Sequence, residues 1–388
     1  MTYNFDEIIP RRNTDSVKWD LAAPDVLPMW VADMDFRSPP CVVKALEKRA
    51  QQGVFGYPLT PVAFYEAIQG WWQRQHGFQV EKDWIVPVPS ILTALSTVIQ
   101  TFAKPGEKVL LQSPGYNHFF MAIEESGCQV VTNDLVHDNG RYTIDFDDLE
   151  QKASDPAVKL FLLCSPHNPV GRVWTREELL RMGEICLRHN VLVVADEIHS
   201  DLVFEGFHHV PFASLGPDFQ AKSVTCSSTS KTFNMAGLLV AYLICTNADL
   251  KKQIEHTLHA QGQLFMSPFA TDALIAAYNE GEAWMQELKT YLFENYLFLR
   301  GFVAAHFPQF IVTPLEATYL VWIDVSALKK SSKDISNALL KEQQLWINPG
   351  TMYGPNGEGF MRINIACPRA MLADGLERWK RYVDTCGL

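Results

Sequence analysis

The sequence predicts an α/β fold in which a mostly parallel seven-stranded sheet is covered by helices and followed by a smaller α+β unit. Seven short β-branched or leucine-rich runs alternate with helical segments, which is typical of strands joined by crossover helices. These runs are apolar throughout, so both faces of the sheet are expected to be buried. After residue 310 the pattern changes to short strands separated by one helix and followed by a final one.

The predicted strands and domains follow from these runs. The seven strands of the large sheet are predicted at 84–88, 108–112, 129–133, 159–164, 191–196, 223–228 and 240–245. Four shorter strands are predicted in the segments FIVT, YLVWID, LWIN and MRINIA. We expect residues 1–48 to form an N-terminal part of the small domain, 49–285 the large domain and 286–388 the small α+β domain.

Helix boundaries are indicated by residues that favour helix ends. Ser38-Pro39 opens a predicted helix with proline at its first position, and Gly53 follows its end. Thr175 and Glu178 form a capping box ahead of an apolar helical segment. The long apolar stretch 272–307 is expected to break near Gly281 into two successive helices.

Charge and composition exclude several classes of protein. The 33 Lys and Arg against 44 Asp and Glu give a net charge of −11, and no basic block is present. Binding to nucleic acid or to an anionic membrane is therefore not expected. The longest nearly apolar run, 236–245, is too short for a membrane span.

The N-terminus and the cysteines favour a cytoplasmic location. The N-terminal residues show no basic segment followed by an apolar one, so no secretory signal is expected. The eight cysteines form no CxxC pair, and a zinc knuckle or a redox dithiol is not expected. A helical pair, His256 and His259, has no third ligand nearby, so no metal site is predicted.

Polar residues follow three predicted strands of the large sheet. Asn168 follows the strand at 159–164, Asp196 and His199 follow the next one, and a hydroxyl-rich run leads to Lys231. On its own, Asp196 is typical of a helix N-cap, Lys231 of a surface lysine and Asn168 of a turn residue. Together they supply an aspartate for a protonated ring nitrogen and a lysine for a Schiff base, as pyridoxal phosphate chemistry needs. Ligands of α/β sheets gather at such strand ends.

Three motifs carry a resemblance to a known family. SPHNPVGR, ADEIH and SSTSKTFNMAG, with 28 residues from Asn168 to Asp196 and 35 from there to Lys231, resemble the fold-type I pyridoxal-phosphate enzymes of the class I/II aminotransferase superfamily. LPMWVADMDF, GVFGYP, DEIHSDL and GEGFMRINIACP are similar to the MalY/PatB-type cystathionine β-lyases, also called C–S lyases. The resemblance implies an aspartate aminotransferase-like fold and pyridoxal 5'-phosphate as cofactor.

The resemblance also implies a role for each candidate site residue. Lys231 would hold the cofactor and then act as the catalytic base, while Asp196 would pair with the ring nitrogen. Asn168 and His199 would lie at the phenolic oxygen of the ring, and Tyr116 would stack on the ring face. The implied phosphate ligands are the hydroxyls of Ser228 and Ser230, the backbone N–H groups of Ile91 and Leu92, and Tyr57. The implied substrate-binding residues are Arg362, which would clamp the carboxylate, and Trp30, Tyr57, Asn168 and Tyr116.

Tyr57 would act from the neighbouring subunit, so the resemblance implies a homodimer with active sites at the interface. The implied reaction is α,β-elimination of cystathionine, cystine or another small cysteine S-conjugate to pyruvate, ammonia and a thiol. Two departures from the aminotransferase pattern are Leu239, where many members have a phosphate-binding arginine, and Ser90, where glycine is common.

Other functions are weighed against this one. An aminotransferase would use the same lysine, aspartate and carboxylate clamp, so it stays open as an alternative. Some relatives also bind a transcription regulator, which is compatible with catalysis and which no residue of the sequence indicates. The glycine-rich motifs of dehydrogenases and of phosphoryl-transfer enzymes are absent, as are HExxH and GxSxG.

Overall fold

Helices and strands alternate through residues 2–386, the part of the chain that this computed structural model describes. The helices are α1 (Val17–Asp20), α2 (Pro40–Gln52), α3 (Val62–His76), α4 (Ile91–Phe102), α5 (Asn117–Glu125), α6 (Phe146–Ala153), α7 (Arg176–Arg188), α8 (Pro217–Ala221), α9 (Ala248–Ala260), α10 (Pro268–Glu280), α11 (Glu282–His306), α12 (Ser332–Gln343) and α13 (Arg369–Thr385). The strands are β1 (Leu27–Pro28), β2 (Ile85–Val88), β3 (Lys108–Ser113), β4 (Gln129–Asp134), β5 (Val136–Asp138), β6 (Arg141–Thr143), β7 (Val158–Cys164), β8 (Leu192–Asp196), β9 (Ser223–Ser227), β10 (Ala241–Ile244), β11 (Ile311–Val312), β12 (Leu320–Asp324), β13 (Leu345–Trp346), β14 (Asn348–Pro349) and β15 (Phe360–Asn364).

The large sheet has seven strands in the order β2-β10-β9-β8-β7-β3-β4. Its neighbours pair in parallel, except that β10 runs antiparallel to both β2 and β9. The predicted mostly parallel seven-stranded sheet is confirmed, with strand ends within one residue of those predicted.

Both faces of the large sheet are buried, as the unbroken apolar runs predicted. On β7, Leu160 and Leu162 pack into a core with helices α4, α5 and α9. Phe161 and Leu163, which alternate with them, pack into a second core with α6 and α7. Successive side chains of a strand point to opposite faces, so each strand contributes to both cores.

A second sheet of four antiparallel strands, in the order β11-β12-β15-β14, lies near the C-terminus. The segment LWIN, predicted as one strand, is two: Leu345 pairs with Leu27 of β1, and Asn348 pairs with Arg362 of β15. The prediction of a single strand was wrong because the two halves hydrogen-bond to different partners. The division into 1–48, 49–285 and 286–388 stays a prediction.

The predicted helix ends are close to those observed. The first predicted helix begins at Pro40, one residue later than expected, because Pro39 serves as its N-cap, and Gly53 ends it at a φ of 70°. The capping box of Thr175 is present in full. Gly281 lies between α10 and α11, as predicted, and a Cβ there would lie 2.5 Å from the carbonyl oxygen of Ala277 in α10. Among the described helices, none combines the length and apolarity needed to cross a membrane.

Candidate active site

A cavity of about 190 Å³ lies where the carboxyl ends of β7, β8 and β9 meet the second sheet. The three strands are neighbours, and Asp196 pairs with Cys164 on one side and Cys226 on the other. The polar residues that follow them are therefore brought together, as the sequence predicted. Eight predicted site residues line the cavity: Trp30, Ile91, Tyr116, Asn168, Asp196, His199, Lys231 and Arg362.

Lys231 lies in the turn after β9 and presents its amine to the cavity. Its Nζ donates a hydrogen bond to the backbone oxygen of Ala32 at 2.6 Å. Burial and the nearby charge of Arg362 lower the pKa of Lys231 to about 8, against the opposing effect of Asp33 and Asp196. An amine with this pKa is free of its proton in a useful fraction of molecules near neutral pH, so it can act as a nucleophile or a base.

Asp196 ends β8 at the floor of the cavity and is 2% exposed. Burial raises the pKa of its carboxyl to about 7, and the N–H of Ile198, at 3.2 Å from Oδ1, and the charge of Lys231 offset this only in part. A buried carboxylate lacking a close cation is costly unless a cationic group approaches it. Asp196 is therefore suited to a ligand that carries a positive charge or a proton.

Two aromatic side chains lie close to Asp196. His199 is buried, and burial together with the charges of Lys231 and Arg362 lowers its pKa to about 3, so its ring is neutral. Its Nδ1 is buried without a partner among the described residues. Tyr116 precedes α5, and burial beside Asp196 raises the pKa of its phenol. Both rings therefore face the cavity in their uncharged forms.

Arg362 and Asn168 lie at the second-sheet side of the cavity. Nη1 of Arg362 donates to Oδ1 of Asn168 at 3.1 Å, and Nη2 donates to the backbone oxygen of Trp30 at 2.9 Å. The guanidinium carbon lies 4.6 Å from the ring centre of Tyr353. Among the described residues Nε is buried without a hydrogen-bond partner, and both hydrogen bonds of the guanidinium go to uncharged oxygens rather than to a carboxylate. A carboxylate of a ligand would complete this site as a bidentate partner.

Residues 30–32 line one side of the cavity, and the backbone oxygens of this segment and of Asp33 after it are held by side chains. Asn364 donates to the oxygens of Val31 and Asp33, both at 2.6 Å. The hydroxyl of Tyr319 shares the oxygen of Ala32 with Lys231. Since buried carbonyl groups need hydrogen-bond partners, these contacts give the segment a defined shape against the cavity.

Four predicted residues do not line the cavity. Ser228 donates to the oxygen of Val240 at 2.6 Å and accepts the N–H of Ser230 at 3.0 Å. Leu92 is exposed in the first turn of α4, next to Ile91, and Tyr57 is 92% exposed on the segment between α2 and α3, which has no regular secondary structure. The predicted roles of these residues stay predictions.

Several residues that line the cavity were not predicted. His118 follows Tyr116 by two positions, and burial together with Lys231 and Arg362 lowers its pKa. Asn348 and Tyr353 approach from beyond β13, where Asn348 donates to the oxygen of Trp30 at 3.1 Å. Its position beside the predicted Tyr116, in the segment GYNHF at 115–119, was a usable signal for His118, but no local pattern marked Asn348 or Tyr353. Among the described residues no cluster of His, Cys, Asp or Glu could hold a metal ion.

The mostly parallel sheet and a lysine–aspartate–arginine cavity at its strand ends define the class I and II aminotransferase type of protein. The family described as Aminotransferase class I and II matches residues 24–378, and the chain belongs to that family. The predicted family is thereby confirmed.

The chain is similar over nearly its whole length to named proteins. The chain is 44% identical to cystathionine beta-lyase PatB of Bacillus subtilis, with 97% of this chain and 99% of that protein covered. It is 34% identical to protein MalY of Escherichia coli, with 96% and 97% covered. A crystal structure of the PLP-bound C–S lyase from Staphylococcus hominis superposes with a TM-score of 0.92 at 34% identity, with 98% of each chain covered. The narrower resemblance to MalY and PatB is confirmed as well.

Proposed function

We propose that this protein is a pyridoxal-phosphate-dependent carbon–sulfur β-lyase that acts on cystathionine, cystine or another cysteine S-conjugate. The observation that carries the proposal is that Lys231, Asp196 and Arg362 line one cavity. The two hydrogen bonds of Arg362 go to uncharged oxygens, so its charge is available to a ligand carboxylate. The names of the relatives favour elimination over amino transfer, since PatB is described as a cystathionine beta-lyase and the structural neighbour as a C–S lyase.

The residues of the cavity fit pyridoxal phosphate. When bound, this cofactor supplies an electron sink that stabilises negative charge at the substrate Cα. The buried carboxyl of Asp196, whose pKa is raised to about 7, would pair with a protonated ring nitrogen. The unpartnered Nδ1 of His199 and the ring of Tyr116 add a polar group and an aromatic surface.

The phosphate would lie at the N-terminus of α4. The N–H groups of Ile91 and Leu92 are in the first turn, where backbone donors lack partners inside the helix. Such donors form an anion site. The hydroxyl of Ser230 would complete it from the turn after β9, and that of Ser228 would join it by turning its proton from the backbone oxygen of Val240 to the phosphate.

Arg362 and Lys231 would act directly on the substrate. The guanidinium of Arg362 would bind the substrate carboxylate, with Asn168 fixing its orientation through the 3.1 Å hydrogen bond. Lys231, with its pKa lowered to about 8, would remove the Cα proton at Nζ and hold it. A thiolate on Cβ would then leave, and hydrolysis of the remaining aminoacrylate would give pyruvate and ammonia.

An assay with L-cystathionine and no keto acid tests this function against amino transfer. We expect sustained release of pyruvate, ammonia and homocysteine over many turnovers, because elimination returns the cofactor to its starting form. Pyruvate is measured by coupling to lactate dehydrogenase, and homocysteine by a thiol reagent. A single turnover that resumes only when a keto acid is added would contradict the lyase and support the aminotransferase.

We also propose a homodimer in which Tyr57 reaches the phosphate of the neighbouring subunit. The segment between α2 and α3 carries four exposed apolar side chains, Val54, Phe55, Tyr57 and Leu59, of which the last is 89% exposed. Contiguous exposed apolar surface of this kind marks interaction sites. A symmetric copy would bury this segment.

Mixing two inactive variants tests whether Tyr57 acts across the interface. In a dimer of either variant alone, both active sites carry the substitution. In a hybrid dimer, the intact Lys231 of the Tyr57→Ala subunit meets the intact Tyr57 of the Lys231→Ala subunit, so one of the two sites carries neither change. We therefore expect refolded equimolar mixtures to recover about a quarter of wild-type activity. Activity no greater than the average of the two parents, or an active monomer by sedimentation, would contradict the proposal. Tyr57→Phe separates the hydroxyl from the ring.

A cytoplasmic location is part of the same proposal. All eight cysteines are free in the structure, and six of them are buried. Free cysteines in this number are typical of a reducing compartment.

A further inference from the structure

A buried hydrogen-bond network holds the loop that follows β8, and its members do not line the cavity. Asp201 is its centre and is 8% exposed. Its Oδ1 accepts from Nε1 of Trp71 at 3.0 Å and contacts Nε2 of His76 at 3.0 Å. Its Oδ2 accepts from the hydroxyl of Thr232 at 2.8 Å. Thr232 directly follows Lys231, so one carboxylate joins the loop of His199 to the turn that carries the reactive amine.

Glu197 forms a second buried pair in the same loop. It directly follows Asp196, and its Oε2 lies 3.0 Å from Nε2 of His209. Its Oε1 accepts the backbone N–H of Phe212 at 2.7 Å. The side chains of Glu197 and His209 are 0% and 2% exposed. Asp196 and Glu197 thus point to opposite sides, one into the cavity and the other into a fixed pair.

The two pairs contact each other through their histidines. The rings of His76 and His209 are 5.3 Å apart and nearly perpendicular. Hydrogen bonds from His76 and Thr232 hold the pKa of Asp201 below its usual value despite burial, so Asp201 is a carboxylate. Lys289 lies close enough to interact with this charge but forms no ion pair within the described residues.

We infer that Asp201 and Glu197, with their histidine partners, form a clamp that sets the position of Lys231 relative to Asp196. The inference rests on the proposed function, since it assigns a purpose to the spacing of those two groups. Residues 197 and 201 do not line the cavity, so they are positioning residues. A displacement of about 1 Å at a reacting group can cost about 100-fold in rate, so fixing both loops matters for turnover.

Thr232→Val and Thr232→Ser test the clamp as a matched pair. Valine has the shape of threonine but cannot donate to Asp201, whereas serine retains the hydroxyl. For the valine variant we expect kcat to fall about tenfold with KM nearly unchanged, and the apoprotein to bind pyridoxal phosphate about tenfold more weakly. The serine variant is expected to stay within about twofold of wild type in both measurements.

Trp71→Phe provides the control for stability. It removes the other hydrogen bond to Asp201 but leaves the link to the turn of Lys231 intact, so it should lower the melting temperature without changing kcat. A structural role alone would make Thr232→Val and Trp71→Phe alike, with lower stability and unchanged kcat and cofactor affinity. That result would overturn the clamp. Failure of the proposed function is distinguishable, because wild type itself would then show no sustained release of pyruvate from L-cystathionine in the absence of a keto acid.

Discussion

Replacing Lys231 with alanine is expected to reduce the elimination rate by about 10⁴-fold, because the variant loses the base that removes the Cα proton. No other amine faces the cavity among the described residues that line it, so no neighbour can take over the role. The measurement is pyruvate release from L-cystathionine at saturating substrate. The visible absorption band of the loaded protein should be lost or displaced in the same variant.

Lys222→Ala is the matched control, since Lys222 lies just before β9 and its side-chain amine donates to Asn190 on the surface, away from the cavity. It should keep wild-type activity and spectrum. In the wild-type protein, borohydride reduction followed by peptide mapping should place the cofactor on Lys231. Full turnover by Lys231→Ala, or attachment to another lysine, would remove Lys231 from the mechanism.

The strand-end residues of the site could be predicted because each follows its own strand closely. Asp196 is the last residue of β8, while Asn168 and Lys231 each lie four residues after the ends of β7 and β9. An α/β pattern places such strand ends and loops side by side. Unbroken apolar runs predicted the sheet, because a strand that is buried on both faces has no polar side. These inferences need only local sequence and general rules of topology.

The remaining contacts join residues that are far apart in sequence. Asn364 holds the oxygen of Val31 across 333 positions, and Asp201 meets His76 across 125. No periodicity or spacing links such pairs, because they form only when distant segments pack together: β15 against residues near Val31, and the end of α3 against the loop after β8. The LWIN segment failed for a related reason: its two halves hydrogen-bond to distant partners.

Asp196→Asn is expected to reduce turnover by about 100-fold, the equivalent of ~3 kcal/mol for a lost hydrogen bond to a charged group. The amide can still accept the N–H of Ile198, but it cannot hold a proton on the ring nitrogen. Cofactor should still bind, because Lys231 and the phosphate ligands are intact. Near-normal turnover in the loaded variant would remove Asp196 from the mechanism.

The same substitution should stabilise the protein when the cofactor is absent. Burial raises the pKa of Asp196 to about 7 in the folded chain, whereas the unfolded value is about 3.9. Between these values the folded state binds more protons, so the free energy of unfolding of wild type falls as pH rises and levels off above about 7. Asparagine does not titrate, so the advantage of the variant should grow across this window to roughly 3–4 kcal/mol.

Urea unfolding of the two apoproteins at about pH 5 and about pH 8 measures this difference. Other buried groups, such as His199, are present in both chains and largely cancel in the comparison. Asp134→Asn, at the exposed end of β4, should unfold like wild type at both pH values. An advantage of Asp196→Asn that is equal at the two pH values would show that Asp196 is ionised in the folded apoprotein already at pH 5. Asp196→Asn is thus expected to lower activity but to raise the stability of the apoprotein. This combination distinguishes a carboxylate that serves a cationic ligand from one that supports the fold.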